Sequence, residues 1–139
     1  MIREGKGLCI YADESYYEGF WKNDKREGYG TMFNKENEFY QGNWKEDKPH
    51  GKGVYSWPNG EEYNGEYVNG LFEGEGSYIF ANWNKYDGSW KEGRRHGYGT
   101  YEWANGAYYK GYFENNIAEG QGTYYNGSGK KYTGQWHNS

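Results

Sequence analysis

The stretch Tyr86-Asp-Gly-Ser-Trp90-Lys-Glu-Gly-Arg-Arg-His-Gly97-Tyr-Gly99-Thr-Tyr101-Glu-Trp103 determines the fold, because its landmarks return every 23 residues along the chain. The tyrosine that opens it recurs at Tyr17, Tyr40, Tyr63, Tyr86, Tyr109 and Tyr132. A glycine follows each tyrosine by two residues, at Gly19, Gly42, Gly65, Gly88, Gly111 and Gly134. Similarity at one fixed spacing is typical of a chain built from tandem structural repeats.

Both blocks of the repeat alternate with a period of two, which indicates β-strands rather than helices. Tyrosine, glycine and tryptophan of Tyr-x-Gly-x-Trp then share one face, and the other face is mostly polar, so each repeat predicts an antiparallel hairpin. The Asn-Gly pair within Trp57–Glu61 signals a tight turn, whereas the polar segments Lys22–Glu27 and Lys91–His96 are interpreted as longer links between hairpins. The predicted fold class is all-β, a single-layer, elongated, twisted antiparallel sheet of about 12 strands. The hairpins are expected at about 5–21, 28–44, 51–67, 74–90, 97–113 and 120–136 of one domain spanning 1–139.

The repeated glycines and tyrosines are interpreted as structural residues. A single sheet has no second layer to cover its apolar face, and aliphatic residues are scarce in this chain. Glycine leaves room over the backbone, so that a ring from a neighbouring strand can lie flat on the sheet. Aromatic rings packed over glycines then supply the apolar contact that aliphatic side chains supply in other folds.

Charge and composition exclude several classes of protein. A formal net charge of −4 provides no positive field, so no nucleic-acid partner is expected. No apolar run approaches the ~20 residues that span a bilayer, and the first residues lack the apolar core of a secretion signal. The single cysteine, Cys9, fits a reducing compartment. We therefore expect a cytoplasmic chain that is neither secreted nor membrane-spanning.

Catalytic and metal chemistry find no support in the residue pattern. The Gly-x-Gly pairs are repeat glycines rather than a phosphate loop, because no strand-to-helix transition follows them. Two histidines at one repeat position, His50 and His96, would lie roughly 19 Å apart along a sheet, too far to share a metal ion. We expect no enzyme activity, no metal and no cofactor.

The motif Tyr-x-Gly-x-Trp followed by Gly-x-Gly-x-Tyr-x-Trp, at a period of 23, resembles the MORN repeat family (membrane occupation and recognition nexus) over essentially the whole chain. The resemblance implies an array of hairpins with an aromatic groove. It also implies scaffolding and the binding of a peptide or helix, as in cytoskeletal and ciliary proteins that include radial-spoke components. A cytoplasmic, cytoskeleton-associated protein of the cilium or axoneme is therefore the expected setting.

A protein-binding groove is expected on the aromatic face. Two rows of rings are expected to be partly exposed there and to seat an amphipathic helix or an extended peptide. Asn34 and Asn126 stand where other repeats carry rings, so the groove should be best formed between residues 51 and 113. The candidate residues are Trp44, Trp57, Tyr67, Phe80, Trp90 and Trp103.

Three alternatives accompany this interpretation. A basic edge could recognise anionic phospholipid through Lys25, Arg26, Arg94 and Arg95, although acidic residues lie among these cations. A carbohydrate-binding aromatic array has a similar composition but different repeat spacing. The open edge strands at both ends could also support association between copies of the chain.

Overall fold

The computed structural model describes residues 1–139, which form twelve β-strands and no helix. The strands are β1 (Gly5–Ile10), β2 (Tyr16–Lys22), β3 (Lys25–Phe33), β4 (Phe39–Lys45), β5 (Lys48–Ser56), β6 (Glu62–Val68), β7 (Leu71–Ile79), β8 (Lys85–Lys91), β9 (Arg94–Glu102), β10 (Tyr108–Glu114), β11 (Ile117–Tyr125) and β12 (Lys131–Trp136). They fall into two compact units, residues 1–71 (the first unit) and residues 72–139 (the second unit). The predicted all-β fold of antiparallel tandem hairpins is confirmed.

Within each unit, consecutive strands pair in an antiparallel fashion, and the repeat glycines lie opposite one another. In the first unit Gly19 faces Gly30 across β2 and β3. In the second unit Gly88 faces Gly99 across β8 and β9. The register shifts just beyond each of these glycine pairs, so a bulge is built into every second strand pair. The period of 23 residues is thus one pair of strands with its two connections.

Five-residue loops form one type of connection. In the loop Trp57–Glu61, the backbone N–H of Trp57 donates to the carbonyl of Glu61 at 2.9 Å. Gly60 occupies the left-handed region there, with a φ of 91°. Glycine reaches this region without the steric penalty that a Cβ causes, which explains the Asn-Gly signal at this point.

Two-residue turns form the other type, where longer links were expected. Asn23 and Asp24 both have positive φ, 48° and 67°, as a type I′ hairpin turn requires. The strands resume at Lys25 and, in the second unit, at Arg94. The expectation of longer links at Lys22–Glu27 and Lys91–His96 is therefore wrong, because Asn, Asp and Gly accommodate the tightest hairpin turn.

A column of tyrosines forms the core of each unit. Tyr17 is fully buried, and its hydroxyl donates to the carbonyl of Phe20 at 2.9 Å. That hydroxyl lies directly over Gly30, where an added Cβ would stand only 2.1 Å from the oxygen. Burial, the largest influence, raises the pKa of Tyr17 to about 12. The same arrangement recurs at Tyr40, Tyr86 and Tyr109, whereas Tyr132 on the last strand is exposed.

Candidate functional site

The two-residue turns are hydrogen-bonded to the start of the strand that follows the preceding two-residue turn. In the first unit the backbone N–H of Asp47 donates to the carbonyl of Arg26 at 3.1 Å. The neighbouring N–H of Glu46 donates to a carboxylate oxygen of Glu27 at 2.9 Å. In the second unit the N–H of Asn116 donates to the carbonyl of Arg95 at 3.0 Å. Backbone hydrogen bonds and the Glu27 carboxylate therefore tie each of these turns to the strand beside it.

Arg26 is held on the aromatic face of the first unit. Its Nε donates to Oδ1 of Asp47 at 3.0 Å, and its Nη2 donates to the backbone carbonyl of Asp47 at 3.1 Å. The guanidinium also lies over the ring of Trp44, 4.5 Å from the centroid. Burial of the Asp47 carboxyl acts to raise its pKa, but the hydrogen bonds from Arg26 outweigh that effect and lower the pKa. Arg26 and Asp47 thus form a charge-compensated pair.

Arg95 occupies the corresponding position in the second unit but lacks this compensation. Its Nη2 donates to the backbone carbonyl of Asn116 at 2.9 Å. Its Nε is buried and has no hydrogen-bond acceptor. Burial lowers the pKa of this guanidinium. The Cζ atom of Arg95 lies between 5.2 and 5.9 Å from the centroids of four rings, those of Phe80, Tyr86, Tyr101 and Phe113.

The four basic residues considered for contact with anionic phospholipid do not all point to the same surface. Arg26 and Arg95 point onto the aromatic faces of their units, where the contacts above hold them. Lys25 and Arg94, one residue earlier in their strands, are exposed. Successive side chains of a strand point to opposite faces, so two adjacent cations cannot both face the same surface. The hypothesis of a lipid-facing edge therefore rests on Lys25 and Arg94, while Arg26 and Arg95 are held by contacts within their units.

An aromatic groove of about 390 Å³ opens beside Arg95 in the second unit. Ring contacts continue along it, with centroid separations of 4.9 Å between Tyr101 and Trp103 and 5.7 Å between Trp103 and Tyr124. The groove is lined by Arg95, Tyr101, Trp103, Tyr109, Phe113, Asn116, Ala118, Tyr124, Trp136 and Ser139.

The structure brings some of the expected groove residues to this place. Trp103 lines the groove, and Phe80 contacts its wall through Tyr101 at a centroid distance of 5.6 Å. Trp57 lies in the first unit, half-buried and packed 4.5 Å from Tyr55. The groove therefore extends to Tyr124 and Trp136, beyond the range 51–113 that the sequence indicated.

Trp44, Tyr67 and Trp90 are buried, so the expectation that they are partly exposed is wrong. The rings of Tyr40 and Tyr17 approach Trp44 edge-on, at 5.0 and 5.3 Å. Its indole N–H donates to the carbonyl of Gly30 at 3.1 Å. Trp44 is thus enclosed by tyrosines of two successive repeats, and all three rings belong to the core.

Several exposed rings outside the groove were not anticipated. Tyr98 and Tyr112 pack together on the opposite face of the second unit, 5.4 Å apart, and both are about half exposed. Trp83 is 73% exposed and has a φ of 71°, a region that bulky residues rarely adopt. Its repeat position holds Gly60 and Gly106 elsewhere, so aligning the repeats would have identified Trp83 as unusual.

Other kinds of site leave little trace in the structure. No three side chains of His, Cys, Asp and Glu come together in a way that would hold a metal ion. No helix has the length and apolar character needed to cross a membrane.

Comparisons with known proteins support the repeat assignment. Among solved structures, the chain is similar to the TCP domain of SAS-4 (dCPAP) of Drosophila melanogaster, determined in complex with a proline-rich motif of Ana2 (dSTIL). The two share 16% sequence identity at a TM-score of 0.56, over 91% of this chain and 70% of that one, which shows a common fold. No curated protein matches the chain in sequence. The MORN repeat profile matches residues 2–16, 17–35, 40–62, 63–85, 86–108 and 109–131, and with six successive matches the chain belongs to the MORN repeat family.

Proposed function

We propose that this chain is a non-catalytic scaffold that binds a segment of a partner protein in the aromatic groove of the second unit. The observation that carries the proposal is the groove itself, about 390 Å³ in volume and lined mainly by aromatic rings. Trp103, Tyr124 and Trp136 are each only half-buried there. Partly exposed rings gathered in a concavity are typical of binding sites rather than of an ordinary protein surface.

The framework under the groove suits a preformed site. Tyr109 is buried beneath it, and its hydroxyl donates to the carbonyl of Tyr112 at 3.0 Å. The indole N–H of Trp136 donates to the carbonyl of Gly122 at 3.0 Å. Rings held in this way lose little conformational freedom on binding, which favours affinity. Tryptophan, tyrosine and arginine are also the residues that most often dominate binding energy at protein interfaces.

A non-catalytic role is favoured by the chemistry of the groove. Arg95 is the one charged side chain that lines it. An arginine stays protonated at neutral pH, so it serves neither as a general base nor as a nucleophile. The tyrosines beside it provide apolar area and hydroxyl groups. This composition favours recognition of a segment over its chemical transformation.

An extended segment fits the groove better than a helix does. The solved relative of the fold holds a proline-rich motif of its partner, and such motifs are extended. Flat rings in series, as from Tyr101 through Trp103 to Tyr124, are typical of surfaces that receive extended peptides. We extend the proposal to a scaffold within a cytoskeletal or ciliary assembly, in which the array would hold partner segments in place.

A native pull-down with mass spectrometry tests the proposal. We expect the double variant Trp103→Ala/Tyr124→Ala to lose a protein partner that the wild-type chain retains. Tyr98→Ala is the matched control, because it removes a half-exposed tyrosine of the same unit from the opposite face. Circular dichroism verifies that each variant folds. Equal recovery of the partner by the groove variant and the control would refute the groove as the binding site.

Phospholipid recognition is the alternative, and it concerns different residues. Lys25 and Arg94 are the exposed cations of the four that were considered. If vesicles containing phosphatidylserine bind the chain in a salt-sensitive manner, Lys25→Gln/Arg94→Gln should abolish that binding and Trp103→Ala/Tyr124→Ala should leave it intact. That outcome, without any protein partner, would favour the alternative.

A further inference from the structure

Three repeats carry an arginine at the same position, and the residue opposite it differs between them. Arg3 and Arg26 face Asp24 and Asp47, and each forms an ion pair. Arg95 faces Asn116, which carries no charge. The first two sites are therefore complete within the chain, whereas the third contains a cation without its anion.

The hydrogen bonds show what Asn116 fails to supply. Oδ1 of Asp47 accepts both the backbone N–H of Arg26 at 2.8 Å and its Nε at 3.0 Å. Oδ1 of Asn116 accepts the backbone N–H of Arg95 at 2.9 Å, but no acceptor reaches the Nε. An unpaired buried donor is unfavourable, and more so when it carries charge.

The side chains around Arg95 include the phenol of Tyr101 but no carboxylate. No Asp or Glu side chain lines the groove beside it. The rings around the guanidinium displace water, and burial lowers the pKa of Arg95. A carboxylate arriving from outside would therefore meet a cation that is already largely desolvated. Charge-assisted hydrogen bonds formed in such a place are among the stronger ones in proteins.

We infer that the groove selects a partner segment with an Asp or Glu side chain that pairs with Arg95, flanked by apolar residues that pack on the rings. This inference rests on the proposed function and specifies the chemistry of its partner. Arginine presents a planar fork of donors that matches a carboxylate. Trp103 and Phe113 on the walls favour apolar groups beside that charge, which a polypeptide segment provides.

Selection from a random dodecapeptide phage library on the folded chain tests the inference. We expect the wild-type chain to enrich peptides that share an Asp or Glu beside apolar residues. The best peptide, synthesised with that residue replaced by Gln or Asn, should bind ~10- to 100-fold more weakly, the range expected for a hydrogen bond to a charged group. Isothermal titration calorimetry measures both dissociation constants.

Asn116→Asp provides the decisive variant, because it should give Arg95 the internal partner that Arg26 already has. We expect this variant to bind the acidic peptide more weakly by a similar factor and to bind the amide version as tightly as the wild type does. Tyr98→Ala should bind both peptides as the wild type does.

Three outcomes separate failure of this inference from failure of the scaffold proposal. Peptides that lack an acidic residue, yet lose binding in Trp103→Ala/Tyr124→Ala, would overturn the inference and leave the groove as a binding site. Equal binding of the acidic and amide peptides would have the same meaning. The absence of any peptide whose binding depends on Trp103 and Tyr124 would overturn both proposals.

Discussion

The arginine sites of the two units share a framework but differ in their completeness. In the first unit Arg26 is paired with Asp47 and covers Trp44. In the second unit Arg95 lies among rings with a buried Nε that has no acceptor. The structural ion pair of the first unit thus has Asp47 at the repeat position where the candidate binding site of the second unit has Asn116.

The rings around the two arginines differ as well. Met32 and Asn34 stand in the first unit where Tyr101 and Trp103 stand in the second. Nη1 of Arg26 lies 3.7 Å from the sulfur of Met32, so a thioether stands where Arg95 meets the ring of Tyr101, although the Arg26 guanidinium still lies over the ring of Trp44. A repeat array can thus keep one backbone throughout and confine a binding surface to the repeats with the appropriate side chains.

Substitution of the glycines that lie under the buried tyrosines in both units should have the largest effect on stability. It should also abolish the difference between the two arginine sites. In Gly30→Ala and Gly99→Ala the new Cβ would stand 2.1 and 2.3 Å from the hydroxyl oxygens of Tyr17 and Tyr86. We expect each to lower the free energy of unfolding by ~3 kcal/mol or more, because a buried ring must be displaced. Urea denaturation followed by circular dichroism measures the loss.

Gly7→Ala is the control for these substitutions. Its added Cβ would meet only Trp21, at an ordinary contact distance of 3.8 Å. A loss for Gly30→Ala no larger than that for Gly7→Ala would contradict the steric role of the tyrosine column.

Asp47→Asn should convert the first site into the type found in the second. We expect a loss of ~1 kcal/mol in the free energy of unfolding, since a half-exposed ion pair is partly screened by water. The pH dependence follows from the lowered pKa of Asp47 in the folded chain. Its stabilising contribution is complete above the unfolded value of 3.8 and disappears as the pH falls through the lower folded value.

The difference in stability between wild type and Asp47→Asn should therefore shrink below pH 3.8. Because the free energy of unfolding of the variant is subtracted from that of the wild type at each pH, the contribution of all other carboxylates cancels. A difference that stays constant down to the acid transition would show that the Asp47 charge does not stabilise the fold.

Trp83→Gly should stabilise the second unit. Its loop holds tryptophan at a φ of 71°, where the loop of the first unit has Gly60 at 91°. Relief of left-handed strain should raise the free energy of unfolding by ~1 kcal/mol. Thermal unfolding of the variant measures the gain. The reciprocal change, Gly60→Trp, should cost a similar amount, since nothing lies within 4 Å of a Cβ at Gly60. A destabilised Trp83→Gly would indicate that the exposed indole contributes to folding.

Asn116→Asp should have the smallest effect on stability. The new carboxylate would accept from Nε of Arg95, as Asp47 does from Arg26. We expect a gain of ~0.5 kcal/mol, because Asn116 is exposed and part of the interaction is screened. Thermal unfolding at neutral pH and at pH 3 measures the gain, which should vanish at the lower pH. A loss of stability at neutral pH would mean that Arg95 does not accept a carboxylate in this geometry.

Much of the fold could be predicted from the period of 23 residues. Alternation with period two identifies strands, and the spacing of Tyr17 and Gly19 places them on one face. The sheet face to which the side chains of Arg26 and Arg95 point could not be predicted in the same way, because it depends on where the strands resume after the two-residue turns. Residue pairs such as Asn23-Asp24 readily adopt positive φ. Treating them as two-residue hairpin turns would have predicted the short connections in place of the longer links.

The candidate site was harder to predict than the fold. The burial of Trp44 results from a tyrosine of the preceding repeat, and one repeat read by itself does not show that contact. The unpaired Nε of Arg95 depends on the identity of Asn116, 21 residues later in the chain. A comparison of equivalent pairs across repeats, Arg26 with Asp47 and Arg95 with Asn116, contains that signal.

The hydrogen bonds that link successive turns have a consequence for folding and for the length of the array. They join residues only 19 to 21 apart, such as Glu46 with Glu27, Asp47 with Arg26 and Asn116 with Arg95. Because a repeat is stabilised by its immediate neighbours, contact order stays low and structure can propagate from any repeat that forms first. A complete additional 23-residue repeat inserted at an exposed loop should therefore find the same partners as its neighbours. An array of this kind can therefore gain whole repeats without a new core.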